Sequence, residues 1–307
     1  TAFNILTPLD VDYFDGMKKA EQFVKIHQAD GLNPQIISSD YVIGIEVASK
    51  NAIEYVMDPR NFLNEVRIFQ FEKLTYDENI NTEDGVNKIL YGTEFYNKNV
   101  SYKDVYGNII NTLDTYAKLI MDAGIYSGVS PYHLAARLRQ EVGPFLSHKS
   151  ISGDVTGYEG LYNFYNVGAT SSTTQLGAIK NGLQYAKDGK GGLTNEEIIN
   201  QLIPWTTPEK AIKGGAVFIG KTYILVGQNC LYLQKFDVND DRSKYLFWHQ
   251  YMTNCIAPYS ESKSIYNGYN SMNMLNSSIG FIIPVYNNMP EIPTASPDIL
   301  TTDFEND

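Results

Sequence analysis

From Ser130 to Pro144 the chain reads SPYHLAARLRQEVGP, a stretch with little choice of local conformation. Ser130 is suited to cap a helix, and Pro131 fits its first turn, where a missing N–H has no partner to lose. Leu134, Leu138 and Val142 recur at helical spacing, Ala135 and Ala136 allow close packing, and Gly143 with Pro144 stops the run. Glu141 therefore falls in the last turn. A carboxyl group there faces the negative end of the helix dipole, and apolar neighbours would strip water from it; both effects favour the protonated form that a general acid needs.

Followed by GYEGLYNFYNVGA (Gly157 to Ala169), this block resembles the endo-β-N-acetylglucosaminidases that cut bacterial peptidoglycan, the autolysin glucosaminidases of the lysozyme superfamily. The resemblance continues through DPRNFLNEVRIFQFEKLTY (Asp58 to Tyr76), WTTPEKAIKGGAVFI (Trp205 to Ile219), GQNCLYLQKFDV (Gly227 to Val238), HQYMTN (His249 to Asn254) and FIIPVYNNMP (Phe281 to Pro290), covering about residues 50 to 290. It implies a mainly α-helical (α+β) fold with a cleft and a small β-hairpin region. It also implies that Glu141, in the RQEVG block, is the catalytic acid. Glu72 would line the substrate groove, and so would Gln234 and Tyr251.

The aromatic turn alternates Tyr162, Phe164 and Tyr165 with Asn163 and Asn166. Aromatic faces cover the C–H faces of pyranose rings, and amides both donate and accept hydrogen bonds to hydroxyl or N-acetyl groups. Core packing explains such aromatics equally and is preferred for Phe164; the family match favours substrate binding for Tyr165 and Asn166, with Tyr162 and Asn163 beside them. The intervening GPFLSHKSISGDVTGYEG is rich in Gly and Ser and suits a short hairpin or a flexible loop lying across a cleft. It carries Asp154 and Glu159. Exposed loop carboxylates need no function, yet glycoside hydrolysis usually employs a second carboxylate, and this loop is the first place to look for it.

Elsewhere the pattern predicts a helix in FDGMKKAEQFVKI and a strand over Tyr41 to Val47, together an accessory subdomain at 1–50. Residues 61–74 have Phe62, Glu65, Ile68, Phe69 and Glu72 at helical spacing; Glu65, like Glu72, reads first as a solvated carboxylate. LDTYAKLIMDA (Leu113 to Ala123) reads as a helix ending at Gly124 and packed against the Glu141 helix as a helical hairpin. Thr194 with Glu197, and Thr206 with Glu209, have capping-box spacing, so two helices start there. The second carries Ala211, Gly214, Gly215 and Ala216, which would let another backbone approach. Residues 51–290 form the expected catalytic domain, and three prolines near the end mark 291–307 as an exit linker.

The net charge of −11 and the lack of a Lys/Arg cluster argue against nucleic acid. Calcium is rejected at DVNDDR (Asp237 to Arg242), where Arg242 replaces the required glycine. Four scattered histidines and two cysteines give no metal set, so neither metal nor cofactor is expected. His249 reads as a packed or capping residue. Cys230 and Cys255 could pair in an exported protein, but two separately buried thiols are the plainer reading.

No run of eighteen apolar residues predicts membrane insertion, and TAFNILTPLD lacks the features of a signal peptide, so an excised domain of a secreted wall protein is expected. Peptidoglycan glycan strands are the expected partner, the state expected is a monomer, and wall-binding modules elsewhere would supply retention. Two rivals are a lytic transglycosylase or muramidase, which also uses one Glu at a helix end, and a non-catalytic glycan-binding wall protein, for which 23 tyrosines would suffice.

Overall fold

A computed structural model describes residues 2–23, 25–27, 37–42, 45–48, 50–174, 176–189, 191–239, 246–251 and 254–296, with only the backbone over 21–48. In chain order the elements are β1 (Ala2–Asp12), α1 (Tyr13–Phe23), β2 (Lys25–His27), β3 (Ile37–Val42), β4 (Ile45–Ala48), α2 (Lys50–Met57), α3 (Glu83–Ile89), β5 (Asn99–Lys103), β6 (Ile109–Thr115), α4 (Tyr116–Ser127), α5 (Pro131–Val142), α6 (Gly177–Asp188), α7 (Asn195–Asn200), α8 (Pro208–Thr222), α9 (Leu231–Phe236), α10 (Ala257–Ser271) and β7 (Ile279–Asn287). Helix predominates, as expected.

The chain divides into two compact units, one of residues 1–73, 226–268 and 279–307, the other of 74–225 and 269–278. In the first, β1 runs parallel to β7, from Ala2 opposite Ile279 to Asp12 opposite Asn287. That pairing joins the first residues to the closing strand, so 1–50 is not set apart in this division. Tyr41 to Val47, expected as one strand, belongs to two: β4 pairs antiparallel with both β2 and β3. Residues 61–74 do not form the expected α-helix. Asp58 caps a 3₁₀ turn over Pro59–Phe62, and the Asn64 Oδ1 then accepts from Val66 N and Arg67 N, closing an Asx turn before a second 3₁₀ segment, Arg67–Phe71. Past β7, residues 291–296 carry no helix or strand, and Thr294 O accepts from Asn61 Nδ2. The remainder of the expected linker lies outside the described residues, as do residues 240–242 of DVNDDR.

In the second unit, α4 packs against α3, α5 and α8. It begins at Thr115, whose side chain accepts from Lys118 N, and ends at Gly128 with φ 76°, one turn beyond the expected stop. Gly124 lies inside the helix and close against Pro131, where an added Cβ would meet Pro131 Cδ at 2.8 Å. The small hairpin lies earlier than expected, in β5 and β6, turned by Asp104, whose Oδ1 accepts from Tyr106 N and Asn108 N. The Gly- and Ser-rich segment 143–160 is neither hairpin nor loose loop. It makes one 3₁₀ turn, Lys149–Ile151, and its Val155, with Leu161, is buried against Leu183 of α6. Both capped helices form, α7 with a complete capping box at Thr194, α8 from Thr207 rather than Thr206. Among the described residues, no helix is long and apolar enough to cross a membrane.

Candidate functional site

Glu141 occupies the last turn of α5, where Gly143 (φ 70°) turns the chain away. Its side chain is 23% exposed. Oε1 lies 2.8 Å from Arg137 Nη2, four residues back on the same face. From the other side, Asn166 Nδ2 donates to the Glu141 carbonyl at 2.8 Å and reaches Oε2 at 3.4 Å. The carboxylate is thus held between a cation and an amide, and an apolar, helix-end environment describes it incompletely. Ser130 stands at the N-cap but makes no capping bond with its side chain; its Oγ accepts from Asn81 Nδ2 instead.

One turn before Arg137 on this face comes His133. Burial, with the charge of Arg137 adding to it, pushes this imidazole down to about 4, so it stays neutral near neutrality. Residue type alone does not single out His133 or Arg137. Their signal is the spacing of four that leads to Glu141.

The turn carrying Asn166 is built from Asn163. This amide is 1% exposed; its Oδ1 accepts from Val167 N, and its Nδ2 donates to Val167 O and to Gly182 O of α6. Asn166 itself has φ 50°, a left-handed conformation that Asn tolerates well. Tyr162 is also 1% exposed, and its hydroxyl donates to Lys103 O at 2.7 Å and accepts from Lys103 N at 2.8 Å, tying the turn to β5. Desolvation pushes its phenol up to about 12. Phe164 is buried, as preferred. Tyr165 is 4% exposed with its ring against α8, where a Cβ on Gly215 would come within 2.4 Å of Cδ2. Its hydroxyl is buried without a hydrogen-bond partner among the described residues, and burial drives the phenol far up, the charge of Arg137 opposing it.

The two loop carboxylates make no bond to Glu141. Asp154 accepts from Ser152 Oγ and pairs with Lys103 and Lys149, each at 3.5 Å; the Ser152 bond chiefly, and then the two lysines, hold it below the usual carboxylate range. Glu159 turns back on the chain, taking Gly157 N at 3.1 Å, and backbone N–H groups lower it as well.

The other expected groove residues belong to the first unit. Glu72 is 7% exposed and forms an antiparallel bridge with Phe281 of β7. Gln234 of α9 and Tyr251 are brought together, Tyr251 N donating to Gln234 O at 2.8 Å; Gln234 is buried and Tyr251 half exposed. Beside them His249 is a packed residue, its Nδ1 2.6 Å from Gln228 Oε1 and its N–H bonded to Asp237 Oδ2. Lys235 donates to Gln250 Oε1, and burial pushes it down to about 8. Cys230 and Cys255 are buried and not joined by a disulfide, and desolvation pushes the Cys230 thiol up to about 12. Among the described residues no three His, Cys, Asp or Glu side chains gather as a metal set.

No protein-family model matches the sequence. The chain is 25% identical over 215 residues, 67% of its length, to a bifunctional autolysin of Staphylococcus epidermidis, and 26% identical over 250 residues, 80% of its length, to a β-N-acetylglucosaminidase of Bacillus subtilis. It spans only 13% and 23% of those two proteins. Among solved structures it is similar to S. aureus glucosaminidase B, at 24% identity and a TM-score of 0.60, over 94% of this chain and 95% of that one. The resemblance read from the residues therefore stands, and the fold is the one shared with glucosaminidase B.

Proposed function

We propose, from the premise that this chain is a relative of the autolysin glucosaminidases and has their fold, that it hydrolyses the β-1,4 bond on the reducing side of N-acetylglucosamine in peptidoglycan. The observation that carries the reading is the placing of Glu141 in the last turn of α5, three-quarters buried and held by Arg137 and Asn166. Glu141 acts as the general acid, donating to the glycosidic oxygen as the bond to the sugar carbon breaks. Asn166 positions the acid. Tyr162 and Asn163 brace the turn rather than touch the glycan, because their polar atoms are already engaged inside the fold.

For the second step we favour the substrate's own N-acetyl oxygen as the group that captures the oxocarbenium-like carbon. Asp154 and Glu159 are the protein's alternatives, but both are held by local partners. Glu72, Gln234 and Tyr251 are assigned to the substrate groove on the family resemblance. The setting is the cell wall. With a net charge of −11 the domain gains no attraction to an anionic wall, so modules elsewhere in the parent protein supply retention.

Digestion of purified sacculi, borohydride reduction and mass spectrometry of the products test the bond assignment. Reduced N-acetylglucosamine is expected. Reduced N-acetylmuramic acid would instead make the protein a muramidase, anhydro-muramic ends a lytic transglycosylase, and binding without clearing a glycan-binding protein.

A further inference from the structure

We propose that a recess of about 340 Å³ in the first unit binds a carboxylate with an amide beside it, the chemistry that an N-acylated sugar acid or a short acidic peptide presents. The volume lies in the range of small-molecule sites. Two stretches form its walls: the turn running from Asn61 to Arg67, and one face of α10, where Tyr259, Lys263 and Tyr266 follow one another at helical spacing.

Arg67 lines the recess from the turn. Its guanidinium carbon lies 3.4 Å from the centroid of the Tyr259 ring, and Nη1 donates to Tyr259 O at 2.8 Å. That bond uses one of five N–H donors, while the stacking fixes the plane of the rest, which is the pre-organised fork a carboxylate requires. Burial strips water from the guanidinium and lowers its affinity for its own proton, so an anion there meets a poorly hydrated cation. Lys263 contributes a second cation.

The amides complete the match. Asn61 spends both donors of Nδ2 on Tyr55 O and Thr294 O, and Asn64 spends its Oδ1 on Val66 N and Arg67 N. Among the described residues, Asn61 Oδ1 and Asn64 Nδ2 have no hydrogen-bond partner, one an acceptor and the other a donor, as an amide group needs. The Tyr266 ring is fixed at the rim by its hydroxyl bond to Glu65 Oε1 (3.0 Å) and by edge contact with Phe69. No carboxylate is among the nine described lining residues, Glu65 meeting the rim only through the Tyr266 hydroxyl, although the protein as a whole carries −11. The selection is for negative charge, and it does not depend on Glu141 being catalytic.

Calorimetric titration of the whole chain with N-acetylmuramic acid and, separately, with N-acetyl-alanyl-glutamate tests this, with N-acetylglucosamine as the neutral probe. At least one anion is expected to bind with an affinity on the order of millimolar or tighter, more weakly as salt rises. Arg67→Gln and Lys263→Gln should each weaken that binding about tenfold and leave the neutral sugar unaffected. The anion that binds identifies its source, glycan or peptide. Because Arg67 also packs on Tyr259, circular dichroism accompanies the variants, and Lys263→Gln decides the matter if Arg67→Gln does not fold. Failure of both anions to bind, wild-type affinity in the folded variants, or an equal loss for the neutral sugar would overturn the proposal.

Discussion

Asn166 combines two demands in one side chain. Its φ of 50° suits Asn or Gly, and its amide holds both the carbonyl and the carboxylate of Glu141. Asn166→Gly keeps the backbone conformation and removes only the amide, so the variant should unfold within about 1 kcal/mol of wild type yet lose about tenfold or more in turnover of sacculi. His133 gives a prediction for pH. Its folded value of about 4 lies below the ordinary 6.5, so between those values the unfolded chain binds more protons and stability falls as pH falls. From pH 6.5 to about pH 5, denaturant unfolding should show a loss of about 1–2 kcal/mol that is absent in His133→Gln, allowing for partial exposure. At this scale the place of Glu141 in the last helical turn was legible from the helix stop, while the roles proposed for Glu141 and Asn166 come from the family resemblance. The partner of Glu141 was written at i−4 but is an ordinary helical pair by spacing alone. Tyr162 and Asn163 were misleading for a physical reason: alternating Tyr and Asn serve a sugar face and a self-bonded turn equally well.

The elements divide in the same way. α5 was readable end to end because Pro131, Gly143 and the apolar spacing all agree. The hairpin of β5 and β6 was not, since its outer face exposes Tyr106, Ile109 and Leu113 and so lacks the usual alternation. The 3₁₀ segment Arg67–Phe71 reads as α-helix because the apolar spacing there is helical, while the Asn64 side chain breaks the run. The small-residue face of α8 did announce a close approach: Gly214 faces Gln201 O and Trp205, and Gly215 faces Tyr165. Gly215→Ala would put a methyl 2.4 Å from the Tyr165 ring. It should destabilise the protein by about 1–3 kcal/mol in thermal unfolding, and activity should fall with it, because the displaced ring precedes Asn166 in the chain.

Over the whole molecule, local pattern said least. The parallel pairing of β1 with β7 joins segments more than 260 residues apart, and no spacing within either strand specifies its partner. The two compact units are consequently discontinuous in sequence, and family resemblance, rather than periodicity, indicated the mainly helical class. The proposed chemistry rests on a single carboxyl group, that of Glu141. The most direct test compares wild type and Glu141→Gln on purified sacculi by turbidity, with circular dichroism to confirm folding. Clearing by the wild type and a loss of at least about a thousandfold in the folded variant is the predicted result; clearing by Glu141→Gln at the wild-type rate would contradict it.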